Sequence, residues 1–237
     1  MGKNLQTQRR GRGYGRYLAP SHMRLTDAKY PKLKESTGTV VDIVKERGRI
    51  APIAIVNFGS EKCYMLASDG IKVNQKISIG ATAPIESGNC LPVSAIPEGT
   101  LVYNIEMKPG DGGKLVRSAG GSATVVSHGK YTVVLLPSGR FKEIHPSCRA
   151  TIGVIAGSGH AEKPFAKSGK KYHAFKSKSR AYFKVSGVAM NPVDHPHGGG
   201  AHQHVGTQSS VSRHTPPGRK VGHIAPRSRK KSKRRMK

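Results

Sequence analysis

Charge is placed so unevenly along this chain that only its middle can fold unaided. Residues 1–34 hold nine Lys or Arg and one Asp, and residues 159–237 hold 19 basic against two acidic side chains. Residues 35–158 carry 13 basic and 10 acidic groups, close to balance. The full chain of 237 residues stands at +28, whereas a small soluble domain is comfortable at a magnitude of roughly 2–8. Like charges at this density oppose compaction unless a polyanion neutralises them. Only 35% of the residues are hydrophobic and Trp is absent, so part of the chain has nothing to pack into a core. The expected architecture is a near-neutral folded centre between two polycationic arms.

The same charge ranks the partners. Nucleic acid is the common polyanion, and release of its condensed counterions drives binding by basic proteins. A membrane surface would call for an amphipathic helix with large apolar residues opposite its cations, and no such pattern occurs. No apolar run approaches the roughly 18 residues of a spanning helix, and the opening Met-Gly-Lys-Asn-Leu-Gln has no apolar leader core. A cytoplasmic location is the expectation. Cys63, Cys90 and Cys148 are far apart and form no C-x-x-C pair. They read as buried reduced thiols, not as a zinc ribbon or disulfide framework.

The middle is rich in short β-branched runs. Thr39–Val44, Ile50–Phe58, Tyr64–Ala67 and Lys76–Ile79 follow one another with turn signals at Gly48, Asp69-Gly70 and Gly80. A second series comprises Leu101–Ile105, Ala123–Val126, Tyr131–Leu136, Gly139–Ile144 and Thr151–Ile155. Closing such strands removes exposed edges, so the reading is mainly β, with two small barrels in tandem. The parts are a basic N-terminal arm over 1–35, a first barrel over 36–83, a second over 84–158 and a basic Gly/His-rich extension over 159–237. The boundary between the barrels falls in the polar stretch 81–91.

In the N-terminal arm Arg9, Arg10, Arg12 and Arg16 alternate with Gly and with Tyr14 and Tyr17. Glycine lets backbone approach a phosphate chain, Arg binds phosphate bidentately and Tyr stacks on an unpaired base. A cationic tail with no particular address has the same composition. Residues 227–237 are a run of Arg, Lys and Ser that fits a solvated tail or a targeting patch equally well.

The segment 187–204 packs three consecutive glycines and His195, His197, His202 and His204 beside Pro192 and Pro196. Neither helix nor strand accommodates that mixture. Three chemistries compete for it. The pair of H-x-H spacings could hold a metal, since imidazole is the commonest zinc ligand. Asp194 or His195 could act as a general acid or base, although no nucleophile, oxyanion donor or cofactor loop accompanies them. RNA is the third reading, because imidazoles stack and donate to phosphate while glycines let backbone pass through a crowded groove.

The run Val188-Ala-Met-Asn-Pro-Val-Asp-His-Pro-His-Gly-Gly-Gly200 resembles, almost letter for letter, the signature of the universal large-subunit ribosomal protein family called L-two. Pro97–Glu106, Pro109–Gly120, Leu136–Gly139 and Cys148–Gly153 agree with the same family, so the resemblance runs along essentially the whole chain. After the glycines the bacterial branch has an acidic run where this chain has Ala201-His-Gln-His204. That difference, the short N-terminal arm and the compact length resemble the archaeal branch, and bacterial contacts are not carried over to residues 201–204.

The resemblance implies an oligonucleotide/oligosaccharide-binding (OB-fold) barrel followed by an SH3-like barrel, with basic extensions threading large-subunit ribosomal RNA near the peptidyl-transferase region. It implies a structural protein, not an enzyme, that binds RNA early and supports subunit association, tRNA binding and peptide-bond formation. His195 is then an RNA-organising residue, because RNA carries out peptide transfer. The expected RNA-binding residues are Arg9, Arg10, Arg12 and Arg16 in the arm, and Arg117 and Ser118 after the glycine-rich turn. Lys170, Lys171, Lys176, Lys178 and Arg180 line the linker. Asn191, His195, His197, Gly198, Gly199 and Gly200 form the deep loop, and Arg213, Arg219 and Lys220 follow. Each single cation also fits a solvated surface charge, and Arg117 fits a brace bonding backbone carbonyls. No catalytic residue, metal site or dedicated cofactor is expected; Mg²⁺ or K⁺ shared with RNA phosphates needs no protein motif. Expected partners are large-subunit ribosomal RNA, neighbouring large-subunit proteins and a bridge contact to the small subunit, with no membrane and no homo-oligomer. A metal-dependent protein using the four histidines and a generic RNA chaperone are the rival classes.

Overall fold

Alternating apolar residues make the strands. In Ser36–Val44 (β1) Val40 is buried while Val41 faces outward, and in Thr132–Leu135 (β8) burial alternates from residue to residue. The structure, a computed structural model, describes residues 2–226 except 14, 19, 34, 60 and 161, and of residue 16 only the backbone. The basic run 227–237 singled out above lies outside the described residues, as does the Arg16 side chain. Two compact units are present, Ser21–Lys167 and Met1–Pro20 with Ser168–Lys237.

The first unit is a mixed sheet. Its other strands are Ile53–Phe58 (β2), Glu61–Leu66 (β3), Lys76–Ile79 (β4), Cys90–Pro92 (β5), Leu101–Tyr103 (β6), Ala123–Ser127 (β7), Phe141–Ile144 (β9) and Arg149–Ile152 (β10). They pair in the order β3-β2-β1-β4-β5-β10-β6-β7-β8-β9. All neighbours are antiparallel except β4 and β5, which meet at the single parallel pair Ile79–Cys90. The mainly-β expectation therefore stands. Among the described residues, however, the ladder is one continuous ten-stranded sheet, not two closed barrels. The physical reason is β5, a strand that begins in the last residues of the stretch read from sequence as a polar divider. Cys90 pairs with Ile79 on one side and Thr151 on the other, so hydrogen bonding passes from one half to the next.

Each half nevertheless has its own apolar core. Val40, Val56, Phe58, Met65, Ile77 and Ile79 fill one, and Val93, Ile96, Val102, Ile105, Val125 and Val134 fill the other. Fully burying one such side chain contributes about 1.5–3 kcal/mol, and these clusters are what this unit has to offset its chain entropy. Cys63, Cys90 and Cys148 are free thiols, the last two buried; burial pushes the Cys90 thiol up to about 12.

One buried carboxylate organises the glycine-rich turn. Glu106 accepts N–H bonds from Gly110 (3.2 Å), Gly112 (3.1 Å) and Arg149 (2.9 Å), and its side chain pairs with Arg149 Nη2 at 3.0 Å. Arg149 lies 5.2 Å from the Tyr30 ring centroid and donates to the carbonyl of Pro31 at 2.8 Å. The Tyr30 hydroxyl donates to the Asn104 carbonyl at 2.8 Å. Residues 21–35, which the sequence division counts with the N-terminal arm, are thereby held within the sheet unit, with Ala28 and Tyr30 in its cores.

The second unit is built differently. It contains Gln6–Gly11 (α1), Ser168–Ser177 (α2) and a two-stranded parallel pair, Ser210–Val211 (β11) with His223–Ile224 (β12). Leu5 is its only buried apolar side chain among the described residues.

Candidate nucleic-acid interface

The cations predicted for RNA sit on short elements of the second unit. Arg9 and Arg10 occupy the last turn of α1 and Arg12 its C-cap, all exposed. Gln8 Oε1 accepts the Leu5 N–H at 2.7 Å, half of a capping box that starts this helix. Lys170, Lys171 and Lys176 lie on α2, with Lys178 and Arg180 just beyond it. Sequence placed these five on a linker. The helix forms because Lys, Ala and Ser are compatible with it and Lys176 complements its C-terminal dipole, yet it buries nothing.

Aromatic side chains accompany these lysines, a feature the charge-based reading passed over. Tyr182 makes edge-to-face contacts with Tyr172, Phe175 and Phe183 at centroid distances of 6.4, 6.2 and 4.2 Å. Lys171 Nζ stands 5.7 Å from the Tyr182 ring centroid, and Phe183 is 74% exposed. Rings interleaved with cations over residues 170–184 were the signal available in the sequence.

The histidine–glycine loop is shaped by its own backbone. The N–H groups of Asp194 and His195 bond the Asn191 carbonyl at 3.0 and 3.2 Å, and Gly198 and Gly199 bond back to His195 (2.9 Å) and Met190 (3.1 Å). A Cβ at Gly198 would meet the Met190 and Asn191 carbonyl oxygens at 2.5 Å. Gly199 has φ +92° and would meet Pro192 at the same distance. Two of the three glycines are thus required by the loop's internal packing, whatever passes beside it; Gly200 is exposed but is held at φ +93°, which also favours glycine.

His195 is partly buried and its ring lies 5.1 Å from that of His197, edge to face. Its Nδ1 accepts the backbone N–H of His197 at 3.0 Å, so the ring is neutral with its proton on Nε2. Burial, and secondarily His197, hold the imidazole below its usual range. Lys3 pins the loop's other side, donating its N–H to the Val193 carbonyl at 2.8 Å and pairing with Asp194 at 3.4 Å.

Two clefts gather these groups. Arg9, Asn191, His195 and Lys220 share a cavity of about 700 Å³ with Tyr17 and Asp194. Arg10 and Arg180 share another of about 500 Å³ with Tyr17, Phe175 and Lys184. Arg213 and Arg219 are exposed beyond them. His202 and His204 are exposed as well, and among the described residues no three His, Cys, Asp or Glu side chains are arranged to hold a metal ion.

Arg117 and Ser118 belong to the sheet unit. Arg117 Nη1 donates to the Gly113 carbonyl at 3.1 Å and Nη2 to that of Ala28 at 2.6 Å. These are the bonds of the brace that the sequence left open; Ser118 is exposed beside it.

Known proteins match this sequence along nearly its whole length. The family model described as "Ribosomal Proteins L2, C-terminal domain" matches residues 86–218, from β5 through the histidine–glycine loop. A protein named "Large ribosomal subunit protein uL2" from Methanococcus maripaludis is 56% identical, over 96% of this chain and 98% of the relative. Proteins of the same name from Methanococcus vannielii and Methanocaldococcus jannaschii are 55% and 52% identical, over 96% of this chain and 99% and 98% of their own lengths. Agreement of that depth from the N-terminal arm to the C-terminal extension makes this chain an archaeal-type member of the uL2 family of large ribosomal subunit proteins.

Proposed function

We propose that this protein is a structural constituent of the large ribosomal subunit that binds ribosomal RNA and organises it near the peptidyl-transferase centre. In that role it supports subunit association, tRNA binding and peptide-bond formation, and it acts in the cytoplasm. The observation that carries the reading is full-length kinship with uL2 proteins. Many cations with Leu5 as the one buried apolar side chain among its described residues suit the second unit to an RNA-seated extension.

In this reading the two halves of the sheet, each around its own core and joined through β5, are the OB-type and SH3-like modules of the family, 36–83 and 84–158, with residues 21–35 packed on the sheet and 159–237 as the basic extension. Arg9, Arg10, Arg12, Arg16, Lys170, Lys171, Lys176, Lys178, Arg180, Arg213, Arg219 and Lys220 neutralise phosphates. Asn191, His195, His197 and Gly198, Gly199 and Gly200 form the deep loop. Ser118 faces RNA and Arg117 acts through the turn it braces. Other large-subunit proteins are neighbours, a bridge reaches the small subunit, and no dedicated cofactor is used. Mg²⁺ or K⁺ enters only where RNA phosphates share it.

Chemical footprinting of large-subunit RNA with and without the purified protein tests this. Protections that cluster around the peptidyl-transferase region are expected. Protections scattered over the RNA without that focus would count against it. His195→Ala is expected to lower the peptide-forming activity of reconstituted subunits more than it weakens RNA binding, because one imidazole is small beside many phosphate contacts. Equal losses would argue against an organising role.

A further inference from the structure

The smaller cleft, between α1 and α2, has features that the protein alone does not explain. Its lining brings together the rings of Tyr17 and Phe175 and the cations Arg10, Arg180 and Lys184, with no acidic side chain. At about 500 Å³ it lies within the range of small-molecule pockets, roughly 300–1,000 Å³.

Ser179 also lines it. The end of α2 is a Schellman turn: the Arg180 N–H bonds the Phe175 carbonyl at 2.9 Å and the Ser179 N–H bonds that of Lys176 at 3.1 Å. The residue at the turn's centre must adopt a left-handed conformation, which Gly takes freely. Ser179 adopts it instead, at φ +56°. Its Oγ is shielded from solvent and has no hydrogen-bond partner among the described residues. Ser179 thus spends backbone strain to close the turn that sets Arg180 at the wall of the cleft.

We propose that this cleft receives one unpaired nucleotide of RNA, its base against Tyr17 and Phe175 and its phosphate on Arg10, Arg180 and Lys184. A nucleotide joins a flat π-face to an anion in one unit, the pair of properties this lining addresses. An acidic peptide would engage the cations and leave the rings idle, and a paired base would first have to break its pair and its stack to enter. The inference rests on the RNA-binding reading above and adds to it a site for a single-stranded position.

The test uses the full-length protein and a single-stranded RNA hexamer carrying 2-aminopurine, a fluorescent adenine analogue quenched by stacking, at its centre. The same hexamer within a duplex is the control, both titrated at physiological salt. The single strand is expected to be quenched and the duplex not. Tyr17→Leu with Phe175→Leu should abolish the quench and weaken single-strand binding about tenfold. Arg180→Gln with Lys184→Gln should weaken both the quench and single-strand binding, and lessen the dependence on salt, while leaving the thermal stability of the sheet unit unchanged. That variant decides the matter if the ring substitutions fail to fold. Binding without quench, or a quench that these variants leave unchanged, would overturn the cleft while leaving the RNA reading intact. Absence of RNA binding by the wild-type protein would remove both.

Discussion

His195 illustrates how one residue's state follows from its neighbours. Nδ1 is engaged by the His197 N–H, so only the neutral ring fits the loop. A histidine whose pKa is lowered on folding favours the native loop above its unfolded value of about 6.5. That contribution is lost as pH falls through the lowered folded value. The expected NMR titration of His195 therefore has a midpoint below about 6.5, with the His197 amide resonance shifting over the same range. A midpoint at or above that value would contradict the assignment. Gly187 supports the same ring from beneath, where a Cβ would collide with the imidazole. Gly187→Ala is expected to displace His195, moving its titration and lowering subunit activity as His195→Ala does. An unmoved titration curve would show that the loop tolerates the methyl group.

At the scale of elements, the turn between β6 and β7 hangs on Glu106. Removing that carboxylate leaves the partly buried Arg149 without its counter-charge and releases the N–H groups of Gly110, Gly112 and Arg149. Breaking a buried pair in this way costs about 3–5 kcal/mol, so Glu106→Ala should lower the urea midpoint of the sheet unit substantially. A change below about 1 kcal/mol would mean that the network is incidental.

The strands show where sequence reading succeeds and where it stops. Thr39–Val44 and Ala123–Val126 announce β1 and β7 by their β-branched runs, because the core of each half demands alternation. β5 is three residues at the end of a Pro- and Gly-bearing stretch, too short to leave a period, so its role as the seam is fixed only by the pairing of Cys90 on both sides. α2 leaves no amphipathic trace because none of its faces is buried. The histidine–glycine loop was legible as a motif. Lys3, which fixes it from a distant part of the chain, was not, since nothing local in sequence marks a contact between residues 3 and 193. The same holds for Ser179, whose left-handed backbone becomes evident only in the turn it closes.

For the whole molecule, the division of apolar surface predicts a division of stability. The three buried clusters lie within residues 28–155, while Leu5 alone is buried among the described residues of the other unit. Ordering a residue costs about 1–2 kcal/mol in backbone entropy, and the second unit has little burial with which to offset it. In RNA-free protein, limited proteolysis should cut within residues 2–20 and 168–226 while a fragment spanning 21–167 persists. Bound RNA should protect the cut sites. Uniform protection without RNA would mean that the cationic unit is stable on its own.

The central claim, that this chain is an addressed ribosomal RNA-binding protein and not a generic polycation, is tested most directly by competition. The purified protein is offered large-subunit ribosomal RNA against an equal mass of unrelated structured RNA, from low to physiological salt. Phosphate contacts alone weaken steeply and alike for both RNAs as salt rises, whereas a shaped site keeps a preference. A preference for the large-subunit RNA that survives physiological salt is the predicted result, and one that vanishes as salt rises would contradict it.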